Sequence, residues 1–177
     1  MAVRESLLGI MTLGPAYGLQ LHAELSDRCP HRQKTNVGQI YGTLERLTKA
    51  GLVESAGENG ESLPLYKLSA LGSKEAEIWL SGEDLQDLPQ WDDLLDMMLI
   101  SRSVSVEHAH KLHHRLKELV RKEKLTLVTL SDHAHARYIA AVDGWLDDVE
   151  PQLATGVQGY TQSRRKRGRP PSTKLVQ

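Results

Sequence analysis

Asn36, Gln39, either Gly42 or Thr43, and Arg46 recur three or four residues apart, a spacing that collects them on one face of a helix. Their chemistry is that of a groove reader. An Asn or Gln side chain pairs bidentately with adenine, an Arg guanidinium with guanine, and a Thr methyl meets that of thymine, each good pair discriminating by about 1–3 kcal/mol. The plain alternative is a solvated helix face beside a small core. Gly38 and Gly42 weigh against it. Each costs about 1 kcal/mol against alanine in an exposed helix, and a helix that accepts this cost often needs a close approach. Lys34, Thr35, Tyr41 and Lys49 flank the same face as candidate contacts to a phosphate backbone. Asn59 sits in the turn-forming cluster Gly57-Glu58-Asn59-Gly60, where backbone amides can also meet phosphate.

A second cationic feature lies near the end of the sequence. From Arg164 to Lys174 every charged residue is basic, whereas between Glu83 and Asp96 every charged residue is acidic, so the net charge of −1 averages over opposites. Blocks of like charge stay extended unless a polyanion neutralises them. Within the basic block, Arg167, Gly168, Arg169 and Pro170 form a core that resembles an AT-hook. Such a chain can lie on the floor of a narrow A·T minor groove with its arginines reaching both ways, while Pro170 and Pro171 keep the backbone extended. The alternative is a basic arm with nonspecific phosphate attraction, and both versions predict a steep salt dependence.

Other chemistries find less support. His108, His110, His113 and His114 cluster, and His110 and His114 have the four-residue spacing of metal ligands, but no Cys or nearby carboxylate completes a site. A pH-sensitive surface is an equal reading of these histidines. Cys29 is the single cysteine, which rules out a disulfide framework and a two-thiol redox motif and marks it as a structural residue. No Ser or Cys sits in a nucleophile motif and no glycine-rich phosphate loop is present, so neither an enzyme nor a cofactor is expected. The Asp and Glu of the linker read as a solvated acidic stretch. Trp79, Trp91 and Trp145 read as core or dimer contacts.

The elements that position these residues follow from periodicity. Apolar residues at helical spacing mark helices over Val3–Leu13, Tyr17–Arg28 and Asn36–Ala50, the third with Asn36 as cap and Gly51 as terminator. After Gly51 the period becomes strand-like, through Leu52–Ser55, the Gly57–Gly60 turn and Leu63–Leu68, and Ser69 caps a fourth helix through Leu80. Three helices and a hairpin make a winged helix. Three further helices are expected over Trp91–Ser101, Val106 to about Leu130, and Ala134–Leu153, with Thr126–Leu130 alternatively a kink and Pro151 a bend or early stop. Their stripes, carried by Leu112, Leu116, Leu119, Tyr138, Val142, Trp145 and Val149, exceed what a monomer can cover, which points to a homodimer.

Gly14-Pro15-Ala16-Tyr17-Gly18, Asn36 through Leu47, Gly51-Leu52-Val53 and Tyr66 through Gly72 together resemble the PadR family of bacterial transcriptional regulators, as do Trp91 through Leu95 and Trp145-Leu146-Asp147. The chain departs from the family at Ala16, where members often carry His, and in its basic tail. The resemblance implies a homodimer held by C-terminal helices on a palindromic promoter site, usually a repressor, released by a small-molecule effector or another signal. The expected fold is mainly α, with a winged helix-turn-helix domain at 1–81, a helical dimerisation domain at 82–155 and a flexible basic tail at 156–177. A soluble, cytoplasmic, bacterial protein with no membrane partner is expected. An architectural or adaptor protein without an effector is the other reading.

Overall fold

The computed structural model describes residues 2–60, 62–123 and 129–161. In chain order the elements are α1 (Ala2–Met11), α2 (Gly18–Arg28), α3 (Val37–Lys49), β1 (Val53–Glu58), β2 (Pro64–Leu68), α4 (Ala70–Ser81), α5 (Trp91–Val104), α6 (Val106–Lys122) and α7 (Leu130–Val149), with 3₁₀ turns at Pro30–Arg32 and Glu150–Gln152. The expected mainly α winged helix-turn-helix with a helical C-terminal region is what the chain adopts. No described helix is long and apolar enough to cross a membrane.

Local chemistry sets the boundaries. The side chain of Asn36 accepts from the Gln39 amide at 2.8 Å and caps α3, and Ser69 accepts from the Gly72 amide at 3.0 Å and caps α4. The long helix expected from Val106 to about Leu130 and the one expected over Ala134–Leu153 are both present with shifted bounds. The first ends at Lys122, and the second starts at Leu130, earlier than Ala134, behind a capping box in which Thr129 and Asp132 satisfy each other's amides. Thr126 and Leu127 lie outside the described residues. At the other end of α7, regular helix stops at Val149 and Pro151 falls inside the 3₁₀ turn, because proline has no amide hydrogen to continue the ladder.

The hairpin pairs Val53 with Leu68, Glu54 with Lys67 and Ser55 with Tyr66, then shifts register before Glu58 meets Pro64. A third chain segment extends it: Ala16, between α1 and α2, exchanges both backbone hydrogen bonds with Tyr66 at 2.9 Å. The wing is thereby fixed to the helix-turn-helix along β2.

Two cores meet at α4. The first gathers Leu7, Leu8, Leu21, Leu25, Ile40, Leu44, Leu47 and Leu80, and Ile100 of α5 joins it across the expected boundary at 81–82. The second gathers Leu94, Met98, Leu112, Leu116, Val142 and Leu146, and Trp79 packs against both. The dimer expectation is corrected in part here. Leu112, Leu116 and Val142 have no exposed surface because they share one core with Leu94 and Met98 of α5 in the same chain, and Leu119 has almost none. Tyr138, Trp145 and Val149 are only half-buried. Trp145 already meets Trp91 edge-on, with ring centroids 5.5 Å apart, and the Tyr138 hydroxyl donates to the Pro89 carbonyl.

Candidate nucleic-acid interface

Helix α3 turns Ile40, Leu44 and Leu47 into the first core, which leaves Gln39 and Arg46 in solvent on the opposite side. Arg46 folds along its own helix. Its Nε donates to the Gly42 carbonyl at 3.1 Å and a terminal nitrogen donates to Thr43 Oγ1 at 3.0 Å, so uncharged groups alone hold this cation. Lys34 is exposed just before the helix, and Lys49 is exposed near its end but tied to Glu45 at 2.6 Å, an ion pair that holds the Glu45 carboxyl below its usual range.

Several expected contacts take other roles. Thr43 is buried, with its hydroxyl engaged by Arg46, so the choice between Gly42 and Thr43 as a groove-facing position falls to Gly42. Asn36 is exposed, but its side-chain oxygen is committed to the helix cap. Tyr41 lies against the start of α2, its ring so near Gly18 that a Cβ there would stand 2.6 Å from it. The side chain of Asn59 accepts from the Leu63 amide at 2.9 Å and thereby shapes the wing tip. Thr35 is half-buried, and its carbonyl meets His22 Nε2 at 2.8 Å, which ties α2 to the entry of α3.

The turn between α2 and α3 is held from outside the winged domain. Asp96 of α5 is fully buried and receives hydrogen bonds from Arg32 Nε to both its oxygens, at 3.2 and 3.0 Å, with ion-pair contacts from Arg32 at 2.8 Å and His31 at 2.8 Å. These bonds hold the Arg32 guanidinium still more firmly protonated. A carboxylate this buried persists because the Arg32 guanidinium meets both its oxygens. Burial, reinforced by Asp96, pushes the neighbouring Cys29 thiol well above its ordinary pKa.

Sequence periodicity does not signal that latch, nor the two arginines beside α3. Arg4 and Arg32 line a cleft of about 620 Å³ together with Val3, Gln39, Thr43 and Arg46. Arg4 is neutralised by Glu75 at 2.6 Å and Glu5 at 3.0 Å, and Arg32 by Asp96, so among the described residues Arg46 is the cleft's uncompensated charge. The histidines do not converge: His113 Nε2 meets the Leu146 carbonyl at 3.0 Å inside the helix pair, His114 faces solvent, and among the described residues no group of three or more His, Cys, Asp or Glu is placed to hold a metal. Arg167, Gly168, Arg169 and Pro170 lie outside the described residues.

Residues 7–78 match the family model described as the transcriptional regulator PadR-like family. Among solved structures, the crystal structure of Bacillus subtilis PadR in complex with operator DNA is similar at 19% identity and a TM-score of 0.45, over 87% of this chain and 98% of that one. No curated protein matches the chain. The matched residues 7–78 span the winged helix-turn-helix and most of α4, so this part of the chain is similar to the transcriptional regulator PadR-like family.

Proposed function

We propose that the protein is a sequence-specific repressor that binds a palindromic promoter site as a homodimer, with α3 of each copy in a major groove, and that a small ligand or another signal releases it. The observation that carries this reading is the exposed pair Gln39 and Arg46 on a helix whose cap, inner face and entry turn are all fixed by the protein itself. A preorganised reading face loses little freedom on binding, which favours discrimination between base pairs over loose attraction to phosphate.

One α3 reads only a few base pairs, so a long site needs two. The half-buried Tyr138, Trp145 and Val149 on α7, with Trp91 37% and Leu130 90% exposed, support a second copy seated against the C-terminal helices. Lys34 and Lys49 are the candidate phosphate contacts of the same face, with Tyr41 and Thr35 behind them.

Footprinting on DNA upstream of the protein's own gene tests this reading. Protection of one palindrome, lost on Arg46→Ala, is expected. Protection that follows A·T content alone, with no palindrome, would instead favour the architectural reading.

A further inference from the structure

The buried residues of α3 are Ile40, Thr43, Leu44 and Leu47, and Thr43 alone among them is polar. Its hydroxyl has a specific partner. Thr43 Oγ1 accepts from Arg46 Nη2 at 3.0 Å while the Gly42 carbonyl accepts from Arg46 Nε at 3.1 Å. Nε and Nη2 lie along one edge of the planar guanidinium, so both bonds hold the same side of the fork. The other edge stays open. It consists of an Nη1 hydrogen and the second Nη2 hydrogen, a parallel pair of donors that meets no acceptor among the described residues.

The nature of the two acceptors matters. Arg4 and Arg32 in the same cleft meet carboxylates, which cancel their charge, whereas a hydroxyl and a carbonyl hold Arg46 in place and leave it cationic. A fork fixed in advance loses less freedom when it binds. Gly42 supplies an independent sign. A Cβ on it would meet nothing within 4 Å, so no contact among the described residues asks for a glycine in the middle of this helix, where glycine is unfavourable. The room it leaves lies one turn from Arg46, on the side from which a partner would approach.

We propose that Thr43 is a positioning residue for base recognition: by holding one edge of the Arg46 guanidinium it presents the other edge to O6 and N7 of a guanine, with the bare backbone of Gly42 leaving room for the base pair. The proposal rests on the DNA-binding reading above. Guanine is the base whose major-groove edge carries two acceptors side by side, the complement of two parallel donors. Adenine sets a donor beside its acceptor and would leave one Arg46 hydrogen unmatched. A DNA phosphate could also accept from such an edge, but a phosphate contact carries no sequence information and would persist on any duplex.

The test uses the full chain and the footprinted palindrome, with each guanine of one half-site replaced in turn by 7-deazaguanine, which keeps the base pair and removes N7. The unaltered chain is compared with Arg46→Ala, Thr43→Val and Thr43→Ser, and a scrambled duplex serves as the reference for each. Replacement of one particular guanine should weaken the unaltered chain by about tenfold. Arg46→Ala should show no loss at that guanine. Thr43→Val should lose most of the sensitivity to it while binding the scrambled duplex as before, and Thr43→Ser, which returns the hydroxyl, should restore it. If thermal melting shows the valine variant unfolded, Thr43→Ala takes its place with the same expected result. Full sensitivity kept without the hydroxyl, a serine variant that behaves like valine, or equal weakening on palindrome and scrambled duplex overturns the proposal, the last because a phosphate contact or a general structural fault affects both alike. A palindrome bound specifically with no guanine responding overturns this proposal alone. Equal affinity of the unaltered chain for palindrome and scrambled duplex would overturn the sequence-reading function and this inference with it.

Discussion

The guanidinium of Arg28 donates to the Gly159 carbonyl at 3.0 Å, joining the first helix of the helix-turn-helix to a segment 131 residues later in the chain. The same guanidinium reaches the Ser103 carbonyl at 3.3 Å. One side chain thus fastens α2 both to the end of α5 and to the strap that returns after α7.

Removing one member of the buried Glu24–Arg28 ion pair should be costly. Glu24→Ala leaves the Arg28 charge buried and the Thr161 amide without its acceptor, and the expected loss is about 3–5 kcal/mol. Glu24→Ala combined with Arg28→Met should recover part of it, since an apolar pair of similar size avoids the stranded charge. Urea unfolding of the three proteins measures this, and a double variant less stable than Glu24→Ala alone would contradict it.

Asp96 couples the C-terminal helices to the reading helix. Asp96→Ala strands Arg32 and His31, which still meet some solvent, so the expected loss is about 2–4 kcal/mol, below the fully buried range. DNA affinity should fall more than the fraction of folded protein does, because the Pro30–Arg32 turn that aims α3 loses its outside anchor. Parallel thermal unfolding and binding titrations below the melting temperature separate the two effects.

Helix α4 approaches the backbone of the winged core so closely that a Cβ on Gly72 would stand 1.9 Å from the Leu52 carbonyl oxygen. Neither atom belongs to a flexible side chain. Gly72→Ala should therefore destabilise the chain by at least about 1–3 kcal/mol, whereas Gly144→Ala, where a Cβ would meet open space, should be neutral or slightly stabilising. Chemical denaturation of the two variants gives the comparison.

Alkaline pH should weaken the fold. Burial raises the pKa of the Cys29 thiol and of the Tyr160 hydroxyl above their ordinary values. The folded state then holds protons that the unfolded chain releases, so their contribution is intact below about pH 8.5, where an unfolded thiol begins to ionise, and declines as pH rises past it. Tyr160 adds a second decline above about pH 10. Stability measured from pH 7 to 11 should fall accordingly, and Cys29 should resist thiol reagents until the protein unfolds; rapid modification of the native thiol would contradict this.

Helices and hairpin were legible because their signals are local. The Asn36 cap and the Ile40, Leu44 and Leu47 stripe each act within a few residues and form where the sequence places them, whereas the hairpin turn begins after Glu58, because β1 runs through Gly57 and Glu58. The latch and the strap were not legible, because Asp96 meets Arg32 across 64 residues and Glu24 meets Thr161 across 137, with no periodicity in either partner. Ala16 pairing with Tyr66 was hidden for the same reason. That the Thr43 hydroxyl meets Arg46 and the Asn59 oxygen the Leu63 amide was not legible either, because spacing places a residue on a face or in a turn without saying what its polar atoms meet. The stripes on α6 and α7 were read as needing a second copy, but Leu112, Leu116 and Val142 are covered within the chain's own second core.

The central claim is that α3 reads base sequence through Gln39 and Arg46, and equilibrium binding to the footprinted palindrome and to a scrambled duplex at matched salt tests it most directly. Arg46→Ala and Gln39→Ala should each lose about 1–3 kcal/mol on the palindrome and little on the scrambled duplex, narrowing the ratio between the two. Equal losses on both duplexes, or none on either, would contradict the account.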